Sequence, residues 1–420
     1  MINRLLRHPV GQNILYLYGV RFAGYLIPLF TLPYLARVMG AETFGLLAFA
    51  QSFALWLALL VEYGFNLSAT RDVARYREDA SRVAGIAAGV LGAKGLLLVL
   101  SLGIAGLSWL AAPLFHDHSA LLWWAWLAAI FQGLSPLWYF QGIERMQTPA
   151  LLDIGSRVLV MLGIFALVKA REDAWRVLAL QAFGNGMAVG LSLNLMYREV
   201  RFRLPTLWDT WQALRLGFSM FFFRSAVSLY TTANAFILGL FVAPALVAYY
   251  AGAEKIAKAV LALVGPISQA LYPRVSHEIA RDYSRARRLA RFSLFVMGLS
   301  GGLMAAGLII AAPLAVRVLL GPGYEPAVPV LRLMALLLPI IALSNVFGIQ
   351  WMLPLGLDRN FNVIIVSAGL LNLVLAVLLA PRFGPQGMAW AVVISEAFVT
   401  LAMYVILSRL GLSPLQEETV

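Results

Sequence analysis

The sequence predicts an all-α integral membrane protein with twelve transmembrane helices arranged as two six-helix lobes. Three observations lead there. Of 420 residues, 61% are hydrophobic and only 12% charged, with a mean hydropathy of +0.82; a soluble domain carries about 45–50% apolar and about 25% charged residues. Twelve apolar windows of about twenty residues run along the chain, each long enough to cross a bilayer. The two halves also resemble one another at an offset of 203 residues.

The first span, at about 12–36, holds "NILYLYGVRFAGYLIPLFTLPYLA". Arg4 and Arg7 precede it, as in a signal peptide, but the apolar run is too long and no small-x-small cleavage site follows. It reads as a retained first helix. The remaining spans lie at about 43–66, 83–112, 119–140, 150–169, 175–197, 213–240, 245–272, 289–320, 327–353, 361–380 and 385–409. Polar or Gly/Pro turns separate them. The longest connections, "YREVRFRLPTLWDTWQALR" and "PRVSHEIARDYSRARR", each have fewer than twenty residues, too few for a soluble domain.

At the 203-residue offset Arg21 meets Arg224, "RVMGAETFGLLAFAQSF" meets "LFVAPALVAYYAGAEKI", and Arg71 meets Arg274. Six spans per repeat is an even number, so both halves insert the same way up, the parallel type of transporter repeat. The expected lobes are 1–200 and 201–420. With the N-terminus inside, nineteen Lys and Arg fall in inside segments and seven in outside ones, which predicts both termini in the cytoplasm. "LLWWAW" at 121–126 then lies at the outer interface, where amphipathic rings belong.

Ionisable residues inside spans are functional candidates once pairing is subtracted. Asp153 with Arg157, and Glu254 with Lys258, are four apart with the acid first, the favourable order for a helical pair. Glu62 lies near a helix end and can reach water. Arg21, Arg224, Lys255 and Lys94 have no acid at helical spacing, and Glu396 is the one deep acid without a base. Arg21 would lie roughly 14 Å into its span, where an arginine costs about 2.5–3.5 kcal/mol. One reading has these cations snorkelling or bonding backbone carbonyls. The other has them lining a water-filled cavity between the halves that suits a phosphate-bearing ligand, since guanidinium binds phosphate bidentately.

Other chemistry is excluded. There is no cysteine, hence no disulfide and no thiolate metal site. "HDH" at 116–118 lacks a third ligand and reads as a solvated turn. No Walker A sequence is present, so ATP hydrolysis is not expected, and no cofactor or metal is called for. The net charge of +12 reads as a basic cytoplasmic face rather than nucleic-acid binding. "GLSGGLMAAG" at 298–307 lies inside a span and reads as close helix packing.

Several stretches carry a family resemblance: "TLPYLARVMGAETFGLLAFAQSF", "VEYGFNLSATRDVA", "LWYFQGIERM", "GPISQALYPRVS", "GPGYEPAVPVLR" and "LSNVFGIQWMLPLG". Between about 12 and 357 the chain resembles Wzx-type O-antigen flippases of the polysaccharide transporter family, within the multidrug/oligosaccharidyl-lipid/polysaccharide exporter (MOP) superfamily that also holds the MATE exporters. The last two spans fit more loosely. The resemblance implies a MATE-like pair of six-helix lobes in the bacterial inner membrane and alternating access. It implies no enzyme activity and a cargo of oligosaccharide on undecaprenyl diphosphate, moved to the periplasmic leaflet. Polysaccharide polymerase and chain-length machinery would be the protein partners. The substrate contacts expected are then Arg21, Arg224, Lys255 and Lys94, with Glu396 the candidate for ion coupling.

Three other readings make distinct demands. A drug exporter of the same superfamily that moves organic cations calls for unpaired acids in its cavity, whereas here the surplus is basic. A membrane glycosyl polymerase or ligase calls for a large periplasmic loop; the outer connections here are short, "KAREDAWR" being the most polar. A purely structural membrane protein has no need of arginines in both halves.

Overall fold

The computed structural model describes residues 9–416, with side chains from residue 24 onward except at 25, 219, 223, 226, 229, 230, 267 and 270. Among the described residues there are helices and turns and no strands. The first helix, α1 (Pro9–Glu62), would run about 80 Å if straight, far beyond a hydrocarbon core of about 30 Å. It breaks at Gly40, whose φ of 68° and ψ of 175° only glycine adopts without strain. That break falls in the gap between the first two expected spans. The last helix, α16 (Asp358–Arg409), breaks likewise at Gly384, between the last two.

Between them, in order, lie α2 (Phe65–Tyr76), α3 (Ala80–Ala111), α4 (Pro113–Asp117), α5 (Ser119–Gly133), α6 (Leu137–Gly142), α7 (Gln147–Leu167), α8 (Ala174–Glu199), α9 (Leu207–Thr231), α10 (Asn234–Gly239), α11 (Pro244–Leu261), α12 (Val264–Arg281), α13 (Tyr283–Leu319), α14 (Ala327–Ala335) and α15 (Leu337–Asn345). A π-helical turn, Val346–Met352, follows α15. Seven stretches of the described residues are long and apolar enough to cross a membrane, or eight if one bent pair counts as a single span. Several expected single spans are divided. The one at 119–140 splits into α5 and α6 because Pro136 disfavours helix at Ser135. The one at 327–353 splits into α14, α15 and the π turn. At the 203-residue offset Gly40 meets Ala243, which precedes α11 with ψ of 150°.

The chain forms two compact units, Met1–Ser225 and Ala226–Val420. In the first, α1 packs on α5 and α7, α8 packs on α5 and α7, and α2 lies along α6. In the second, α13 packs on α12, α14 and α15, while α16 covers α10, α11, α14 and α15. Without a hydrophobic force between helices in lipid, packing decides association, and small residues let backbones approach. A Cβ on Gly133 would lie 2.6 Å from that of Val61, and one on Gly184 would lie 2.5 Å from Val160 Cγ2. Polar groups add to this in the second unit. Gln350, fully buried in the π turn, meets Ser293 Oγ at 2.5 Å and donates to Ser268 Oγ at 3.0 Å.

Within the glycine-rich 298–307 run, a Cβ on Gly301 would sit 2.8 Å from Pro339 Cα and 2.9 Å from the Leu338 carbonyl, while Gly302 faces open space. Backbone cannot yield as a flexible side chain can, so Gly301→Val is expected to cost about 1–3 kcal/mol. Gly302→Ala should leave the melting temperature unchanged or slightly raised. Thermal melting of the purified variants in detergent checks both.

A few helix starts carry a side-chain cap. Asp79 caps α3, accepting from Ser81 Oγ at 2.7 Å, Ser81 N at 3.0 Å and Arg82 N at 3.1 Å. These bonds, that from the Ser81 hydroxyl foremost, hold its carboxyl below the ordinary aspartate range. A depressed value means the cap contributes fully above the ordinary pKa and fades as pH falls through the folded one. Amide exchange at Ser81 and Arg82, corrected for intrinsic rates, should therefore accelerate below about pH 4. Asp79→Asn should abolish that dependence.

Candidate functional site

The sequence pattern "VEYGFN" places a carboxylate just before a helix break. Tyr63 (φ 49°) and Gly64 (φ 76°) both take left-handed backbone there, ending α1 and starting α2. The break is filled by α9. Tyr63 stacks on Phe221 with ring centroids 4.5 Å apart, and a Cβ on Gly64 would lie 2.9 Å from that of Met220. One turn further along α9, Arg224 pairs with Glu62 through one guanidinium nitrogen. Asn66 Nδ2 donates to the same carboxylate oxygen at 2.7 Å, and Asn66 Oδ1 is buried with no partner among the described residues.

This corrects the expectation that Arg224 lacks an acid and that Glu62 merely reaches water. The side chains are 33% and 21% exposed, so the pair is neither dry nor freely solvated. One bond commits a small part of a fork with five donors. Lys94 on α3 is also partnered. It is buried, donates to the Ser135 carbonyl at 2.9 Å and feels the charge of Glu62. Two of the expected cations therefore gather around one carboxylate in the first unit. The contact boundary at Ser225 leaves Arg224 in the same compact unit as Arg21. The Arg21 side chain lies outside the described residues.

In the second unit Lys255 is half-buried on α11. The adjacent Glu254 carboxylate attracts it and Lys258 repels it, so the expectation that it stands apart from acids is also corrected. Glu254 bonds Lys258 at 3.0 Å, and Lys258 Nζ also donates to the Thr231 carbonyl at 2.7 Å, fastening α11 to the end of α9. The companion pair expected from spacing, Asp153–Arg157, is formed at 2.8 Å.

Glu396 is buried on α16, on the face that carries Thr400 and Met403. Thr400 Oγ1 donates to the Ile340 carbonyl at 3.1 Å, and Met403 packs on Gly348 of the π turn. Among the described residues no cation pairs with the Glu396 carboxylate. Glu396 lies twelve residues after the Gly384 break and Asn372 twelve before it, so both sit about 18 Å along their helices. Asn372 is fully buried with neither amide atom partnered among the described residues. A lone Asn in an apolar helix carries no periodic signal in the sequence.

The remaining motifs resolve into supports. In "LWYFQGIERM", Tyr139 and Arg145 both bond Glu199, at 2.9 and 2.8 Å, tying the end of α8 to the turn after α6. His116 of the exposed "HDH" turn stacks on Trp109. In "LLWWAW", Trp126 Nε1 donates to Ser101 Oγ at 3.2 Å and Trp124 stacks on Trp175. Among the described residues, no group of three or more His, Asp and Glu could hold a metal ion.

Comparison with known proteins bears on what such a site serves. Residues 10–278 match the family described as "Polysaccharide biosynthesis protein". The chain is 34% identical over 394 residues to a protein of Escherichia coli (strain K12) named "Putative O-antigen transporter", covering 93% of this chain and 95% of that one. A protein of the same name from Shigella dysenteriae is 29% identical over 405 residues, covering 93% and 98%. Among solved structures, the fold is similar to that of the lipid II flippase MurJ in its inward closed conformation. The TM-score is 0.72 at 15% identity, over 94% of this chain and 87% of that one. It is also similar to an inward-facing multidrug resistance MATE transporter of the MOP superfamily, with a TM-score of 0.68 at 14% identity, over 94% and 96%.

Proposed function

The chain belongs to the polysaccharide biosynthesis protein family, and from that premise we propose that it is a flippase for undecaprenyl-diphosphate-linked oligosaccharide, an O-antigen or related repeat unit. It carries the cargo from the cytoplasmic to the periplasmic leaflet of the bacterial inner membrane by alternating access, with both termini cytoplasmic. It acts as a transporter and not as an enzyme. A polysaccharide polymerase and chain-length machinery would receive the glycan.

The observation that supports the site reading is Arg224, a half-buried guanidinium in an apolar helix, committed to Glu62 by a single bond. A diphosphate cannot enter hydrocarbon as a bare anion. Its oxygens can engage the remaining guanidinium donors, or replace Glu62, in charge-assisted bonds about twice as strong as neutral ones. Arg21, Lys255 and Lys94 would add positive potential along the route. An inside-negative membrane potential drives an anion outward by about 2.3 kcal/mol per charge per 100 mV. Glu396 is the candidate for ion coupling, being an acid held away from any described base.

Deleting the gene should remove surface polysaccharide and trap lipid-linked repeat units in the cytoplasmic leaflet, inaccessible to a glycosidase added to intact spheroplasts. Accessible units in the deletion strain would exclude the reading. A MATE-like exporter of small molecules is the alternative that the shared fold allows; unchanged surface glycan with raised drug sensitivity would favour it.

Orientation has its own test. The native chain has no cysteine, so Ser284→Cys and Ala120→Cys report cleanly. An impermeant thiol reagent on intact spheroplasts is expected to label Ala120→Cys and spare Ser284→Cys. The reverse pattern would invert the orientation and the direction of transport.

A further inference from the structure

The first unit contains a second basic site, separate from Arg224. A cavity of about 450 Å³ opens among α2, the start of α3 and the start of α9, within the range of about 300–1,000 Å³ typical of small-molecule sites. Its lining mixes Arg71, Arg75 and Arg82 with the apolar Ile86 and Leu216. Two carboxylates also line it, Asp72 and Asp209. Both are already engaged, Asp72 by Arg71 at 3.6 Å and Asp209 by Arg203 at 3.6 Å. Arg82 is held by Asp79 at 3.3 Å and lies over the Tyr76 ring at 4.5 Å. Arg75 has no carboxylate within salt-bridge distance among the described residues. The site thus has one uncompensated positive charge, and its other arginines sit in exposed pairs worth little individually.

The wall formed by α9 also fixes the depth of the cavity. Its inner side contributes Asp209, Gln212 and Leu216. Its outer side shows Leu207 (89% exposed), Trp208 (67%) and Trp211 (62%) to the surroundings. A Trp- and Leu-rich stripe at i, i+1 and i+4 belongs at the membrane interface, at head-group level. The segment is pressed onto α3, where a Cβ on Gly89 would lie 2.7 Å from the Asp209 carbonyl. A lining that mixes arginines with apolar side chains, beside an interfacial Trp/Leu stripe, matches one class of ligand. We propose that this cavity binds the anionic phosphate head group of a membrane lipid, with the first part of its tail against Ile86 and Leu216. The lipid is either the bilayer's own anionic phospholipid or a polyprenyl diphosphate. The binding chemistry is independent of the transport reading.

The test uses the full chain in detergent, titrated with lipid and read by native mass spectrometry. Phosphatidylglycerol, undecaprenyl diphosphate and phosphatidylcholine are titrated in separate arms. Wild type is expected to retain the anionic lipids at least tenfold better than phosphatidylcholine. Arg75→Gln, and more so Arg71→Gln with Arg75→Gln, should remove most of that preference. Gly85→Leu offers a variant that keeps every charge: Gly85 lines the cavity and its nearest neighbour to a Cβ is Arg203 at 3.9 Å, so a leucine fills the space. It should also lose binding, while Arg145→Gln, outside the cavity, should not. Equal retention of both anionic lipids identifies a phospholipid site; preference for undecaprenyl diphosphate identifies a loading site for the carrier lipid. Retention of phosphatidylcholine equal to that of the anionic lipids would overturn the proposal. So would unchanged binding in Arg75→Gln and Gly85→Leu. Because mass reports binding and not movement, a failure of flipping leaves this result unaffected.

Discussion

Arg224→Ala is expected to abolish export of surface glycan while the protein stays in the membrane at near-normal level. The stability half of that statement follows from the geometry. Removing one partner of a buried ion pair is costly because it strands the other charge. Here Glu62 keeps the 2.7 Å bond from Asn66 and is 21% exposed, so it is not stranded. The functional half follows from the role given to the guanidinium. If Arg224 and Glu62 only brace the helix break, the exchanged pair Glu62→Arg with Arg224→Glu should restore what either single change removes. If Arg224 also grips phosphate, the exchange moves the cation to α1 and export stays absent. Glu62→Gln, which preserves an acceptor for Asn66, should retain export. Surface glycan measured against membrane-fraction protein at native expression decides among these outcomes. Arg224→Lys should recover only part of the loss, since a lysine cannot bind bidentately.

The second large effect concerns the break itself. Gly64→Val is expected to destabilise the protein by about 2–5 kcal/mol. Left-handed backbone costs a residue with a Cβ about 1–2 kcal/mol. The new Cβ would also lie 2.9 Å from that of Met220 and 3.1 Å from the Phe221 nitrogen, overpacking worth about 1–3 kcal/mol more. Against a net stability of about 5–15 kcal/mol, that is enough to lower the amount of folded protein. Gly103→Ala is the comparison, because nothing lies within 4 Å of its Cβ. Thermal melting followed by tryptophan fluorescence checks both. A Gly64→Val melting point within about 2 °C of wild type would mean that α9 does not press on the break as described.

What the sequence reveals depends on how far apart interacting residues lie. Asp153–Arg157 and Glu254–Lys258 are one turn apart and could be paired by spacing alone. The breaks at Gly40 and Gly384 fall where hydropathy separates successive spans. Glu62 and Arg224 are 162 residues apart, and Lys94 lies 41 residues from the carbonyl that binds it. No periodicity reports such contacts, so Arg224 and Lys94, without an acid at helical spacing, are partnered in the structure; the acid beside Lys255 is its sequence neighbour Glu254, a spacing outside the helical pair rule. Pro136 marks the split of α5 from α6 in the sequence itself, whereas the division into α14, α15 and a π turn is hidden. Hydropathy averages over about twenty residues and does not register a break that leaves both sides apolar. Gln350 and Asn372 show the same limit, because burial of a single amide is decided by neighbours distant in sequence.

The most direct test of transport is leaflet movement in a defined bilayer. The purified chain is reconstituted into liposomes with a fluorescent undecaprenyl-diphosphate oligosaccharide, and dithionite is added outside. Without protein only the outer-leaflet fraction should bleach. With wild type, nearly all fluorescence should be lost as inner-leaflet lipid becomes accessible. Arg224→Ala should match empty liposomes, and a fluorescent phosphatidylcholine should remain protected throughout. Equal bleaching with wild type and empty liposomes, or equal movement of the phosphatidylcholine, would contradict a flippase selective for the diphosphate-linked glycan.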